Sequence, residues 1–188
     1  MKIVFYGTRG SIPVASADKV ECGGNTTCLR IDSSCLPENQ WLVVDGGSGI
    51  VPLGVDALKA GVKEVCLLFT HYHHDHTQGL FLCPLLFNKS VHLRCFGPVE
   101  LGVNPTRMMR HLMKPPYHPV SFEEVASHIT SEGFDHPSGM VIVIHPKGGV
   151  RSSAVDEFEL CEQSPTKQIP IGRGRYNLSE CLVIRMLK

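Results

Sequence analysis

The 188-residue sequence lacks several features that would define a class of protein at once. Its 18 Lys and Arg residues balance its 18 Asp and Glu residues, and no basic block is present to hold nucleic acid or an anionic membrane. It has no apolar run near the ~18 residues of a membrane span, and its opening residues, MKIVFYGTRG, lack the apolar core of a signal peptide. We therefore expect a cytoplasmic protein with no membrane partner.

The eight cysteines include no CxxC pair, which disfavours a cysteine-rich zinc knuckle. Cys66, Cys95 and Cys181 lie inside apolar segments, where a free thiol behaves as a small hydrophobic side chain. We therefore predict reduced cysteines in the core of a cytosolic protein.

Short apolar runs alternate with turn residues and helix-like segments. The continuous apolar run VCLLFT, residues 65–70, is typical of a strand buried on both faces, and LGVDALKAG, residues 53–61, has helical spacing and ends at a glycine. This alternation predicts one domain over residues 1–188, of the α/β or α+β class, with a sheet buried on both faces. Residues 145–178 are polar, with scattered Gly and Pro, and are predicted to be an insertion or loop before a final strand in CLVIRMLK.

Four histidines and an aspartate occupy six consecutive positions, HYHHDH, at the end of the run VCLLFT. The loop beyond the carboxyl end of a buried strand is where α/β proteins often place ligand-binding groups. In extended backbone His71 and His73 point to the same side and His74 points away, whereas Asp75 and His76 lie where the chain turns into a helix and can face a second position. Because imidazole and carboxylate are good ligands for zinc and similar cations, the segment predicts a metal site.

The segment THYHHDH matches the HxHxDH signature of the metallo-β-lactamase superfamily, with His71, His73, Asp75 and His76 in the signature positions. Four further segments are similar to the phosphodiesterase-like branch of that superfamily, which includes ribonuclease Z, phosphonate-pathway cyclic phosphodiesterases and certain cyclic-nucleotide phosphodiesterases. These segments are GTRGSIPV, GGNTTCLRI, VVDGGSGIVPLG and MKPPYHPVSFEEV. The resemblance covers residues 1 to about 125 and implies an αββα sandwich, two sheets packed face to face with helices outside.

The same resemblance implies two divalent metal ions, with zinc as the default and Mn or Fe as alternatives for similar ligands. Paired cations activate a water at neutral pH and bind phosphoryl oxygens, and Asp75 would act both as a ligand and as the catalytic group that orients the water. Asp45 matches a family aspartate that supports the site, although it could instead be a turn residue that caps the strand end. The implied substrate is a small-molecule or nucleotide phosphodiester, such as a cyclic nucleotide or an RNA end.

The ligands implied downstream of His76 are incomplete. The family places a histidine, a bridging aspartate and a final histidine there, and no histidine follows His145 in this sequence. The segment VIVIHPKGG resembles the turn that carries the first of them, which makes His145 the fifth predicted metal ligand. In the alternative alignment CLVIRMLK is the strand leading into that turn, residues 145–178 are an insertion, and the chain stops before the first downstream ligand.

Both alignments predict a sandwich that is incomplete at its C-terminus. A half-sandwich exposes apolar sheet surface, which favours self-association into a homo-oligomer. Two functions follow, a metal-dependent phosphodiester hydrolase or a catalytically incomplete metal-binding or structural fragment. Lactonase, β-lactamase or thioesterase chemistry is disfavoured by the RGS and GGN segments.

Overall fold

The computed structural model describes residues 2–34, 36–134, 140–145, 149–154, 168–171, 174–177 and 182–186, with side chains through residue 134. The strands are β1 (Lys2–Gly7), β2 (Cys28–Asp32), β3 (Gln40–Val44), β4 (Glu64–Leu68), β5 (His92–Pro98), β6 (Ile129–Phe134), β7 (Met140–His145), β8 (Gly149–Ala154), β9 (Gln168–Ile171), β10 (Gly174–Asn177) and β11 (Leu182–Met186). The α-helices are α1 (Ile50–Lys59), α2 (His74–Thr77), α3 (Pro84–Phe87), α4 (Pro105–Leu112) and α5 (Phe122–Val125). Two 3₁₀ turns cover Leu80–Leu82 and Ala126–His128.

Strands β1 to β6 form one sheet in which the spatial order equals the chain order. The first three strands pair antiparallel, and β3, β4, β5 and β6 pair parallel. Parallel neighbours need a crossover connection, and helices supply each one: α1 before β4, α2 and α3 before β5, and α4 and α5 before β6. This arrangement confirms the predicted α/β class.

Strand β4 is the centre of the core. Its Val65 and Leu67 are fully buried in one hydrophobic cluster, which also contains Leu53 of α1, whereas Cys66 and Leu68 are fully buried in a second cluster. Because successive side chains of a strand point to opposite faces, these two clusters lie on the two sides of the sheet. The continuous apolar run therefore predicted correctly a strand that is buried on both faces.

The described cysteines are all free thiols: Cys22, Cys28, Cys66, Cys83 and Cys95. All but Cys22 are buried. Burial raises the pKa of Cys66 and of Cys83 to about 12, so that both remain uncharged thiols at neutral pH and pack as apolar groups. The prediction of core thiols is confirmed for Cys66 and Cys95, and Cys181 lies outside the described residues.

Local sequence signals define the helix ends. Gly61 follows α1 with a φ of 71°, a left-handed conformation that glycine adopts without strain. Helix α4 begins after Asn104, whose side chain accepts a hydrogen bond from the backbone N–H of Arg107 at 2.9 Å. Ser121 and Glu124 form a capping box at α5. Among the described residues, no helix has both the length and the apolar character needed to cross a membrane.

Two parts of the chain differ from expectation. Strand β6 pairs with β5 but consists of exposed and half-buried residues, ITSEGF, so that it lacks the apolar pattern by which strands are recognised. Strands β8, β9 and β10 lie in residues 145–178, which the sequence predicts to be an insertion or loop. Strand β8 joins β7 and β11 in an antiparallel sheet of order β11-β7-β8, and β9 pairs with β10. Whether residues 145–178 are an insertion stays a prediction.

Candidate metal centre

The candidate centre lies beyond the carboxyl ends of two adjacent parallel strands. Asp45 directly follows β3 and Thr70 comes just after β4, and the two strands pair with Val44 opposite Leu68. The backbone N–H of Asp45 donates to the carbonyl of Leu68 at 2.8 Å, which extends the pairing by one residue. Asp45 has a φ of 61°, a left-handed conformation that aspartate tolerates better than most residues. The sheet therefore places both residues at one edge, where open α/β sheets bind ligands.

The Asp45 carboxylate connects that edge to α2. It is 1% exposed, and it accepts hydrogen bonds from the Thr70 backbone N–H at 2.8 Å and from the Thr70 hydroxyl, whose oxygen lies 2.9 Å from Oδ2. Its Oδ2 also lies 2.8 Å from Nδ1 of His76. This hydrogen bond is the main reason that the pKa of His76 is raised. Asp45 thus accepts a hydrogen bond from the backbone just after β4 and also holds the His76 ring. The first contact fits the interpretation as a turn residue at a strand end, and the second fits the interpretation as a supporting aspartate.

Three histidine rings lie together above this carboxylate. The ring centroid of His71 is 4.4 Å from that of His73 and 4.1 Å from that of His76. Desolvation lowers the pKa of His71, and the neighbouring His76 and His73 lower it further. His71 is therefore neutral at pH 7, the protonation state in which imidazole donates a lone pair to a metal. Its Nδ1 lies 3.0 Å from the Thr70 hydroxyl oxygen, a contact that can orient the ring.

The Asp75 carboxylate is hydrogen-bonded to a residue near the start of the sequence. Its Oδ2 accepts a hydrogen bond at 2.9 Å from the backbone N–H of Ser11, which lies in the loop after β1. This hydrogen bond is the main reason that the pKa of Asp75 is lowered, so the carboxylate is ionised at neutral pH. Sequence reasoning missed both Ser11 and Thr70. The GTRGSIPV segment drew attention to the right loop, but a backbone donor leaves no signal in residue type.

Glycines let the backbone approach closely beneath the rings. A Cβ atom on Gly47 would lie 2.2 Å from the carbonyl oxygen of Asp75, and one on Gly79 would lie 2.1 Å from the carbonyl oxygen of Gly47. The N–H of Gly46 donates to the carbonyl of His76 at 2.6 Å. These contacts place α2 directly on the turn that follows β3, and thereby set the position of the histidine rings.

The donor chemistry fits a divalent cation. With its Nδ1 donating to Asp45, a neutral His76 presents the Nε2 lone pair to Oδ2 of Asp75, 3.6 Å away. That separation is close to the about 3.3 Å between two ligands of a tetrahedral zinc ion. A lone pair facing a carboxylate is repulsive unless a cation or a proton lies between them. Within the described residues, however, no group of three or more His, Cys, Asp or Glu side chains is already arranged to hold one ion.

The structure brings together His71, His73, Asp75 and His76, and their role as metal ligands stays a prediction. His145 is the last residue of β7 and pairs with Gly149, but its side chain lies outside the described part of the chain. Of the histidines whose side chains are described, four lie away from the segment HYHHDH. His92 on β5 is exposed, His111 is on α4, and the buried His118 and His128 lie within hydrogen-bonding distance of the carbonyl oxygens of Phe81 and Leu85, at 3.1 and 3.2 Å.

No protein-family model matches this chain, and no curated protein matches it. Among solved structures, it is similar to the metallo-β-lactamase fold protein YhfI from Bacillus subtilis, with a TM-score of 0.43 and 19% identity over 80% of this chain and 56% of that one. It is also similar to a diphosphatase from the PhnP family, with a TM-score of 0.40 and 18% identity over 72% of this chain and 51% of that one. The chain therefore spans about half the length of these two proteins, and the likeness concerns the fold.

Proposed function

We propose that this chain provides the metal centre of a hydrolase that cleaves phosphodiester bonds, with a cyclic nucleotide or an RNA end as the substrate class. The observation that carries the proposal is the position of His76 between two carboxylates. Asp45 holds its Nδ1 at 2.8 Å and Asp75 faces its Nε2 at 3.6 Å, beside the rings of His71 and His73. The HxHxDH signature and the RGS and GGN segments support the same class of chemistry.

The contacts of Asp45 and Asp75 support a role for each of them beside the proposed ligands. Divalent ions, with zinc as the default and Mn or Fe as alternatives, lower the pKa of a bound water and neutralise phosphoryl charge. His71, His73, Asp75 and His76 would hold these ions, with His145 as a further proposed ligand. Asp45 keeps the proton of His76 on Nδ1, so that Nε2 is free to act as a ligand. The Ser11 N–H lowers the pKa of Asp75, and its carboxylate can accept a hydrogen bond from the attacking water.

The alternative is a catalytically incomplete metal-binding or structural fragment. The absence of a histidine after His145 favours it, since the ligand order implied by the resemblance cannot be completed within this sequence. In that case we expect one ion bound weakly by His71, His73 and water, or no bound ion.

The test uses the full chain loaded with zinc or manganese. We expect hydrolysis of bis(p-nitrophenyl) phosphate, and we expect a chelator to abolish it. His73→Ala should lower the rate of hydrolysis by about 100-fold or more, because removing one group at a reacting centre has an effect of that size. His92→Ala is the matched control, because His92 is an exposed histidine on β5 whose Nε2 lies 2.9 Å from the Thr130 hydroxyl oxygen. We expect that variant to keep full activity.

Two results separate the candidates. Metal binding without turnover supports the fragment, and turnover that survives His73→Ala contradicts the proposed centre. Parallel assays with a cyclic nucleotide, an RNA end and a lactone test the substrate class. Light scattering of the same sample tests the expected homo-oligomer.

A further inference from the structure

A cavity of about 310 Å³ lies between α4 and the chain that follows β4. Tyr72 and His74 line it, whereas His71, His73, Asp75 and His76 do not. Tyr72 alternates with His71 and His73 in extended backbone, which sends neighbouring residues to opposite sides, and His74 is the first residue of α2. The cavity is therefore separate from the candidate metal centre, although the same segment contributes to both.

The polar part of the cavity wall is cationic or uncharged. Arg107 and His111 lie four residues apart on α4, so that they occupy the same face of the helix, and both line the cavity together with His74. Among the residues whose side chains the structure describes, no aspartate or glutamate lines the cavity. Arg107 is charged at every accessible pH, whereas an imidazole can donate a hydrogen bond in either protonation state. The cavity therefore has a fixed positive charge and donors for an anion.

The Arg107 guanidinium is held at the cavity by a backbone contact. Its Nη1 donates to the carbonyl oxygen of Gly102 at 3.1 Å. Within the described part of the chain this is the one hydrogen bond its guanidinium makes, and it uses one of five N–H donors. The remaining donors have the planar geometry that binds carboxylate or phosphate oxygens in pairs.

The rest of the wall is apolar. Met108 and Leu112 of α4 line it, as does the ring of Tyr72, whose hydroxyl donates to the carbonyl oxygen of Pro98 at 2.5 Å. Methionine sulfur and a tyrosine ring both make favourable contacts with aromatic groups. A cavity of this volume is at the lower end of the range that takes a small organic ligand.

The geometry points to a binding site for a phosphate monoester that carries an aromatic group, such as phenyl phosphate or a nucleoside monophosphate. Two N–H donors of the Arg107 guanidinium and one donor from each imidazole can bind the three terminal oxygens of a phosphate. A single carboxylate has two oxygens and would not use all of these donors. The aromatic group occupies the wall formed by Tyr72, Met108 and Leu112. This inference uses none of the predicted metal ligands, so it stands or falls separately from the proposed hydrolase.

The test is calorimetric titration of the full chain with phenyl phosphate and with adenosine monophosphate, in the presence of EDTA. The chelator removes metal ions, so that any binding is independent of the metal centre. We expect saturable binding at one ligand per chain, and weaker binding of inorganic phosphate, because it lacks the aromatic group. Arg107→Gln should weaken binding by about 10- to 100-fold through the loss of a charged donor, and His111→Ala by about 2- to 10-fold.

Arg110→Gln is the matched control. Arg110 lies on the same helix and its loss changes the net charge equally, but its Nε donates to Glu123 at 2.8 Å. Both arginines are exposed, so circular dichroism should show folded variants in each case.

We expect Arg110→Gln to bind phenyl phosphate with the same affinity as the unsubstituted chain. Equal weakening by Arg107→Gln and Arg110→Gln would show general charge attraction and overturn the assignment. Inorganic phosphate binding as tightly as phenyl phosphate would also overturn it, as would the absence of saturable binding.

Discussion

The two sides of the segment from His71 to Thr77 are built in different ways. On the side of the candidate metal centre, the carboxylates of Asp45 and Asp75 are fixed by backbone N–H groups, and glycines bring the chain beneath the rings into direct contact. On the cavity side, a long arginine and apolar side chains surround open space. We infer that the first side is positioned before any ligand arrives, as a metal centre requires, whereas the second can adjust to its ligand.

The largest effect expected on the metal side comes from Gly47→Ala. The added methyl group would lie 2.2 Å from the Asp75 carbonyl oxygen and 2.5 Å from Thr26 Oγ1, so the backbone beneath α2 must shift. We expect the free energy of unfolding, measured by urea denaturation, to fall by about 3 kcal/mol or more.

Gly61→Ala serves as the control for that variant. Gly61 has a φ of 71° but no atom within 4 Å of an added Cβ, so only the left-handed conformation is penalised, by about 1–2 kcal/mol. Equal losses in the two variants would show that the backbone contact beneath the metal side contributes little.

A smaller effect is expected from Asp45→Asn. Asparagine tolerates the left-handed backbone and has nearly the same shape, but it removes the anionic acceptor from Nδ1 of His76. Loss of such a supporting group typically lowers metal affinity by about 10- to 100-fold. Competition with a chromophoric zinc chelator measures the change. Asp56→Asn, which alters a carboxylate on α1 that accepts from the Tyr6 hydroxyl, should leave zinc affinity unchanged.

The smallest effect is expected from Tyr72→Phe on the cavity side. The variant loses the hydrogen bond to the Pro98 carbonyl, which should lower the free energy of unfolding by about 0.5–1.5 kcal/mol. Zinc affinity, measured in the same competition assay, should stay within twofold of the unchanged chain. A larger fall would show that the two sides are coupled and that the comparison is wrong.

The sequence predicted those features whose signal is local. The run VCLLFT indicated a doubly buried strand, LGVDALKAG indicated a helix that ends at a glycine, and HYHHDH indicated the cluster. Strand β6 escaped prediction because it pairs mainly through its backbone, and its exposed residues have no apolar period. The strands between Gly149 and Asn177 escaped because Gly, Pro and polar residues dominate that region.

The same reasoning applies to the candidate centre. The four residues that the structure brings together could be read directly, because they lie within six positions, and their role as ligands stays a prediction. The Ser11 contact could not, since it joins a backbone N–H to a carboxylate 64 residues away and any residue except proline supplies such a donor. The Thr70 hydroxyl was missed because its partner Asp45 becomes adjacent only when β3 and β4 pair.

The hydrogen bond from Ser11 to Asp75 also limits what conventional mutagenesis can reveal. Alanine scanning would leave this donor in place, because the peptide group survives the loss of a side chain. Serine and alanine both carry a Cβ atom, so at the φ of 71° that Ser11 adopts the alanine variant would report only the lost hydroxyl group. Replacing the amide by an ester through chemical synthesis removes the donor and keeps the side chain, and would show how far the loop after β1 governs the carboxylate of Asp75 at the candidate metal centre.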